Sequence, residues 1–165
     1  MTTTINSVWA ANIDCPNAAP SGNFQVCIGT NDPDRMAGTA KPDAMSGRAG
    51  GDRMFGFSSG DIMVGGLGDD IMSGGSGHDR MQGDSGNDNI NGDSGNDVIL
   101  GSLGADSLFG SSGDDKIYHN VETNPTRPDQ SKDDIHCGSG NDEAWINTSA
   151  DGDTADSDCE TVHAG

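Results

Sequence analysis

An aspartate stands at positions 34, 43, 52, 61, 70, 79, 88, 97, 106 and 115, ten times at intervals of nine without a slip. Two residues after each comes Met, Ile or Leu: Met36, Met45, Met54, Met63, Met72, Met81, Ile90, Ile99, Leu108 and Ile117. A fixed short period means that one small unit is stacked on its own copies, because nine residues cannot bury an apolar face alone. Counting on in nines past an irregular stretch reaches Asn124 with Thr126, Asp133 with Ile135 and Asp142 with Ala144, so the register survives where the motif decays.

Such a stack needs more than burial to hold it. Of 165 residues only 31% are hydrophobic and 4% aromatic, and 26 are glycines that lose the most backbone freedom on folding. Taken alone, that composition reads as disorder. Asp and Glu outnumber Lys and Arg by 27 to 8, and the net charge of −19 disfavours nucleic acid and anionic lipid while favouring hard cations. The four cysteines, Cys15, Cys27, Cys137 and Cys159, fall as one pair near each end, with no CxxC spacing and no His in a zinc-finger register. Disulfides in an oxidising compartment are therefore expected rather than a zinc site; three pairings exist on paper, and local pairs are the simplest.

The clearest units are GGLGDDIMS from Gly65, GGSGHDRMQ from Gly74, GDSGNDNIN from Gly83 and GDSGNDVIL from Gly92. They fit G-G-x-G-x-D-x-U-x, with U a large apolar residue, and on this pattern the chain resembles the RTX, or hemolysin-type, calcium-binding nonapeptide repeats. The resemblance covers about residues 29–162 and is strongest over 47–117. Within a unit, six Gly-rich positions make a turn and three residues, such as Ile71, Met72 and Ser73, make a short strand whose middle residue alone points inward. Two units close one coil, so Asp70 stacks near Asp52 and Asp88 rather than near Asp79. The expected fold is all-β, a right-handed parallel β-roll: a solenoid with two nonapeptides per coil and a disulfide-linked cap at each end.

Each edge of such a roll is a column of carboxylates about 4.8 Å apart, which would repel one another unless a cation lay between the turns. Oxygen-only ligands suit Ca²⁺, whereas Mg²⁺ resists the dehydration that such a cage demands. The resemblance implies that an ion between loops two units apart takes the second and fourth carbonyls and the Asp of the earlier loop, with the first and third carbonyls and the Asp of the later. Carried onto this sequence, one site uses Gly66, Gly68 and Asp70 with Gly83, Ser85 and Asp88, and its counterpart on the opposite edge uses Gly75, Gly77 and Asp79 with Gly92, Ser94 and Asp97. Equivalent loop positions add Gly47, Gly50, Gly56, Gly65, Gly74, Gly86, Gly95, Gly101, Gly104, Gly110 and Gly113 as metal-site residues. The carboxylates extend through Asp34, Asp43, Asp52, Asp61, Asp106, Asp115, Asp133 and Asp142. Such pairs allow roughly eight to ten ions, whose charge would approximately cancel the excess of acid. Metal-coupled folding of an otherwise unfolded chain follows.

The pattern frays at both flanks. GTNDPDRMA from Gly29 and GTAKPDAMS from Gly38 carry Asp32 and Lys41 where Gly is usual, and the turn before Asp61 has Phe57 and Ser59. The stretch HNVETNPTRPDQSKD from His119 lacks the loop glycines and holds two prolines, so a protruding loop without calcium is expected there. Beyond it, DDIHCGSGNDEAW and DGDTADSDCETV resemble the ending of secreted actinobacterial RTX-repeat proteins, which implies a Cys137–Cys159 bond. SVWAANIDCPNAAPSGNFQVC would form the opposite cap with Cys15 bonded to Cys27, since an open solenoid end exposes strand edges. The expected organisation is an N-terminal cap over 1–28, a regular roll over 29–118, an irregular loop-bearing coil over 119–136 and a C-terminal cap over 137–165.

Other signals read blandly. The methionine series fills the ordinary apolar slot, and GFSSG from Gly56, which imitates a hydrolase elbow, lies inside a turn. His78, His119, His136 and His163 are scattered and expected on the surface, while DGDTADSD from Asp151 echoes an EF-hand loop lacking its sixth-position Gly. Outward strand residues form no regular Thr ladder of an ice-binding face, although Ile62, Val64, Val98, Leu100 and Tyr118 make an apolar face. No apolar run reaches membrane-spanning length, and the start, MTTTINSVWAANIDC, has no signal-peptide pattern, so a removed leader is expected. The reading is a secreted, monomeric calcium-binding module with a structural, adhesive or binding role. The alternative is an accessory module of an RTX toxin or secreted hydrolase. No nucleophile, base and oxyanion constellation marks the chain as an enzyme.

Overall fold

The computed structural model describes residues 11–14, 25–120, 131–147 and 152–164. They form strands β1 (Ala11–Asp14), β2 (Gln25–Ile28), β3 (Asp34–Ala37), β4 (Asp43–Ala49), β5 (Arg53–Ser58), β6 (Ile62–Leu67), β7 (Ile71–Ser76) and β8 (Arg80–Ser85). The second half continues with β9 (Asn89–Ser94), β10 (Val98–Leu103), β11 (Ser107–Ser112), β12 (Lys116–Tyr118), β13 (Asp134–Ser139), β14 (Glu143–Ile146), β15 (Thr154–Ala155) and β16 (Thr161–Ala164). Odd-numbered strands make one eight-stranded sheet and even-numbered strands the other. Every pairing is parallel, with Met54 beside Met72 and Ile90 in one sheet and Met63 beside Met81 and Ile99 in the other. Two units therefore close each coil of a parallel β-solenoid.

The core is one side chain deep. The apolar residue of each unit, from Met36 to Ile117 and on to Ile135 and Ala144, is at most 2% exposed, while its strand neighbours lie at the surface or half-buried. In β7, Met72 and Gly74 face inward. The strands are longer than the three residues expected: β5 to β11 each have six, because the ladder runs on into the glycine turn. Ser76 pairs with Ser94, and Gly68 N–H donates to Ser85 O at 2.7 Å, so stacked loops extend the sheets.

The segment expected to cap the N-terminal end supplies a strand to each sheet, with Ile13 beside Met36 and Cys27 beside Met45. Cys27 thus fills the apolar slot one period before Met36. It is disulfide-bonded; Cys15, its expected partner, lies outside the described residues. At the other end Cys137 is bonded to Cys159, with 5.0 Å between their Cα atoms. The spacing between paired strands changes near this end: Ser107 lies beside Asp134 and Lys116 beside Glu143. The offset has grown from 18 to 27 residues, so one extra period intervenes between β12 and β13. Residues 121–130, which include Asn124, Thr126 and the two prolines, lie outside the described residues. Among those described, no helix is long and apolar enough to cross a membrane.

Candidate metal centre

Both edges of the roll carry an unbroken column of acid. All twelve aspartates from Asp34 to Asp142 at the repeat position are at most 2% exposed, which is unusual for ionisable side chains. One oxygen of each carboxylate is accounted for by the chain. The amide of Asp34 donates to Oδ1 of Asp52 at 2.7 Å, that of Asp52 to Asp70 at 2.7 Å, and that of Asp70 to Asp88 at 2.8 Å. The other edge repeats the scheme from Asp43 through Asp61, Asp79 and Asp97 to Asp115. Across the enlarged coil it is kept by Asp106 to Asp133 and Asp115 to Asp142, at 2.8 and 2.7 Å.

The second oxygen is different. Oδ2 of Asp52, Asp61, Asp70, Asp79, Asp88, Asp97, Asp115 and Asp142 is buried and accepts no hydrogen bond. An orphaned buried acceptor costs about 1–3 kcal/mol, and more when charged, so a column of them is not a stable arrangement without a partner. Burial pushes the carboxyls of Asp61, Asp70 and Asp97 up to about 7 and those of Asp52, Asp88 and Asp115 up to about 6. The amide from the preceding coil opposes the shift, and nearby acids add to it. Asp79 and Asp142 are raised for the same first reason.

The loop backbone supplies further oxygens beside these atoms. The first glycine of a unit is required by space: a Cβ on Gly65 would collide with Oδ2 of Asp70 and lie 2.9 Å from the Gly83 carbonyl. Gly56, Gly74, Gly83, Gly92, Gly101 and Gly110 stand in the same relation to their own aspartates, as does Gly47. Fourth-position carbonyls face the following coil, Gly50 toward Gly68, Gly68 toward Gly86 and Gly86 toward Gly104 on one edge, and Gly77 toward Gly95 and Gly95 toward Gly113 on the other. Second-position carbonyls do the same, Arg48 toward Gly66 and Phe57 toward Gly75. First- and third-position carbonyls face back: Gly83 toward Gly65, and Ser85 and Ser94 to the amides of Gly68 and Gly77. Of the expected set, Asp70 Oδ2 and Gly83 O converge beside Gly65, Gly68 O faces Gly86, and Ser85 O accepts the Gly68 amide. Oδ1 of Asp88 is held by the Asp70 amide.

Seven residues other than Gly adopt left-handed backbone in these turns: Arg48, Phe57, Ser59, Asp84, Asp93, Ser102 and Ser111. Each such residue costs about 1–2 kcal/mol and persists only where its surroundings dictate it. The side chains turn outward, where Asn91 Nδ2 donates to Asp93 Oδ1 at 2.7 Å and Ser59 Oγ to Ala40 O at 3.1 Å.

The first two loops are built otherwise. Oδ2 of Asp34 accepts the Thr30 amide at 2.6 Å and its hydroxyl at 3.0 Å, and Asp43 is served by Thr39 in the same way at 2.6 and 3.1 Å. At the far end, two acids beyond the last repeat aspartate complete the columns. Asp153 Oδ1 accepts the Asp133 amide at 3.0 Å, and Glu160 Oε2 accepts the Asp142 amide at 2.7 Å. Glu160 was reachable by adding one coil to 142, whereas Asp153 breaks the spacing. The histidines expected on the surface divide: His78 and His163 are exposed, His136 is half-buried and stacked on Phe109 at 4.7 Å, and His119 is only 7% exposed. His119 is buried because it occupies the inward first position of a loop, where its carbonyl faces Gly101 as that of Gly101 faces Gly83.

Stacked parallel loops lined by carbonyls, with a buried carboxylate at each step, define a metal-binding β-roll. The sequence profile of the RTX calcium-binding nonapeptide repeat (4 copies) matches residues 28–56, 55–90 and 91–120, and the chain belongs to this family, whose repeats bind calcium. No curated protein matches the chain.

Proposed function

We propose that the chain is a secreted structural or adhesive protein whose roll forms only as calcium fills the gaps between its loops. The observation that carries this reading is the run of buried carboxylates whose Oδ2 accepts no hydrogen bond. The donor set fits the ion: a hard cation accepts the free carboxylate oxygens and nearby carbonyls without offering softer ligands. In the central coils the holders would be Gly66, Gly68 and Asp70 with Gly83, Ser85 and Asp88, and Gly75, Gly77 and Asp79 with Gly92, Ser94 and Asp97. The same positions from Gly47 to Asp115 would hold the rest of roughly eight to ten ions. Bound calcium supplies the positive charge that the self-repelling, glycine-rich chain needs in order to fold. Low calcium inside a cell and millimolar calcium outside would then make export the folding signal. An outward groove of about 340 Å³, lined by Ile62, Val64, Val98, Leu100 and Tyr118 among others, offers an adhesive role its surface.

Circular dichroism in excess chelator and in millimolar calcium tests the reading. At pH 7.5 strand signal is expected only with calcium, with a cooperative midpoint. Equal strand content in both conditions would refute coupled folding.

A further inference from the structure

The enlarged coil places a nitrogen ligand among the acids. His119, Asp133 and Asp153 are all buried, and one ligand atom from each lies within 4.8 Å of the other two. Nδ1 of His119 is 3.1 Å from Oδ2 of Asp153 and 3.9 Å from Oδ2 of Asp133. We propose that these three residues, at the far end of one acid column, bind one divalent first-row transition ion of the zinc class, distinct from the calcium sites between Gly47 and Asp115.

The two carboxylates are already oriented by the backbone. Asp133 Oδ1 accepts the Asp106 amide at 2.8 Å, and Asp153 accepts the amides of Asp133 at 3.0 Å and Asn147 at 2.9 Å. Such outer partners fix ligand geometry in metal sites. The imidazole is the independent sign. It is more than nine-tenths buried, its Nδ1 points into the acid pair, and that atom makes no well-formed hydrogen bond despite its proximity to Asp153. A histidine that merely capped the column would direct an N–H along a carboxylate lone pair. Ligands at about 2.0–2.2 Å from a tetrahedral ion stand roughly 3.3–3.6 Å from one another, and the two distances from Nδ1 bracket that range.

The nitrogen also selects the ion. Calcium is an oxygen binder, whereas imidazole with carboxylates suits zinc and its neighbours. Three protein ligands leave a fourth position for water. Every other first-position residue from Gly29 to Gly110 is glycine, so this chemistry is confined to one coil.

The test uses the full chain saturated with calcium and dialysed against Zn²⁺, followed by metal analysis. One tightly held zinc per chain is expected. His119→Gln and Asp153→Asn should each weaken it by more than the roughly 10–100-fold that loss of an outer partner causes, and exposed His78→Gln should not. Dichroism in calcium checks that the variants fold. On the unaltered protein, Co²⁺ should give visible d–d absorption that one equivalent of Zn²⁺ removes, which needs no variant. Failure to retain zinc, retention indifferent to both substitutions, displacement of the zinc by millimolar calcium, or absence of the cobalt band would each overturn the proposal.

Discussion

Asp34 and Asp43 sit at the same register as Asp52 to Asp115 and are just as buried, yet their Oδ2 atoms are served differently, while Oδ1 of Asp43 stays buried without a hydrogen bond. In the first two loops a threonine at the second position gives Oδ2 both an amide and a hydroxyl, and the same hydroxyl accepts the amide of Asp32 or Lys41. In the central loops the second position is left-handed backbone at Arg48, Phe57, Asp84, Asp93, Ser102 and Ser111, and Oδ2 is left without a hydrogen bond wherever Asp52, Asp61, Asp70, Asp79, Asp88, Asp97 or Asp115 closes the loop. A carboxylate can thus be buried here in two ways, by self-capping or by awaiting a cation. The residue at the aspartate position does not distinguish them; the residue four places earlier does.

The largest contrast is expected at the fourth position. A methyl on Gly95, whose φ is +133°, would overlap the Gly77 carbonyl oxygen, so Gly95→Ala should destabilise the calcium-loaded roll by about 3 kcal/mol or more, read by thermal unfolding. Lys41→Ala, at the equivalent exposed position of the second loop, should stay within about 0.5 kcal/mol. Comparable losses from both would end the distinction between the two kinds of loop.

Next in size are the aspartates themselves. Asp79→Ala strands the Asp61 amide at a cost of about 1–3 kcal/mol and removes a calcium oxygen, so the calcium midpoint should rise at least about tenfold. Asp34→Ala removes only a self-capped carboxylate, and its midpoint should stay within about threefold of the parent.

A smaller effect follows from acidity. Folding without calcium raises the central carboxyls from 3.8 to about 6 or 7, so the folded chain binds more protons than the unfolded one in between. Their contribution to apo stability is full below the unfolded value and lost as pH rises through 6 to 7. In chelator, strand signal should therefore increase as pH falls from 7.5 to 5, while in calcium the binding midpoint should weaken over the same change because protons compete. The smallest expected change is a gain. Thr39→Gly with Lys41→Gly removes the self-cap and restores the second and fourth glycines of the second loop, and should add one calcium per chain by equilibrium dialysis.

Much of this was legible in the order of residues. The period placed Met72 inward and Asp70 over Asp88, and the closing motif pointed to Cys137 with Cys159. Strand length was not, since glycine propensity marks Gly74 and Gly75 as turn, whereas stacking on the equivalent loops of neighbouring coils lets Gly75 and Ser76 pair. The enlarged coil was masked for a simpler reason: its excess equals one period, so counting in nines passes across it without a fault. His119 was expected on the surface because a histidine in a polar stretch looks solvated, although one step of nine from Gly110 lands on it at an inward position. The role of Thr30 and Thr39 depends on hydroxyl geometry that no spacing encodes.

The amide-to-carboxylate ladder points one way along the axis: each aspartate donates to the acid of the coil after it and never to the one before. A coil is consequently finished by its successor. Each turn is locked by the carboxylate of the turn above it, and Asp153 and Glu160 act as the stops of the two ladders by accepting the last donors without the repeat having to continue.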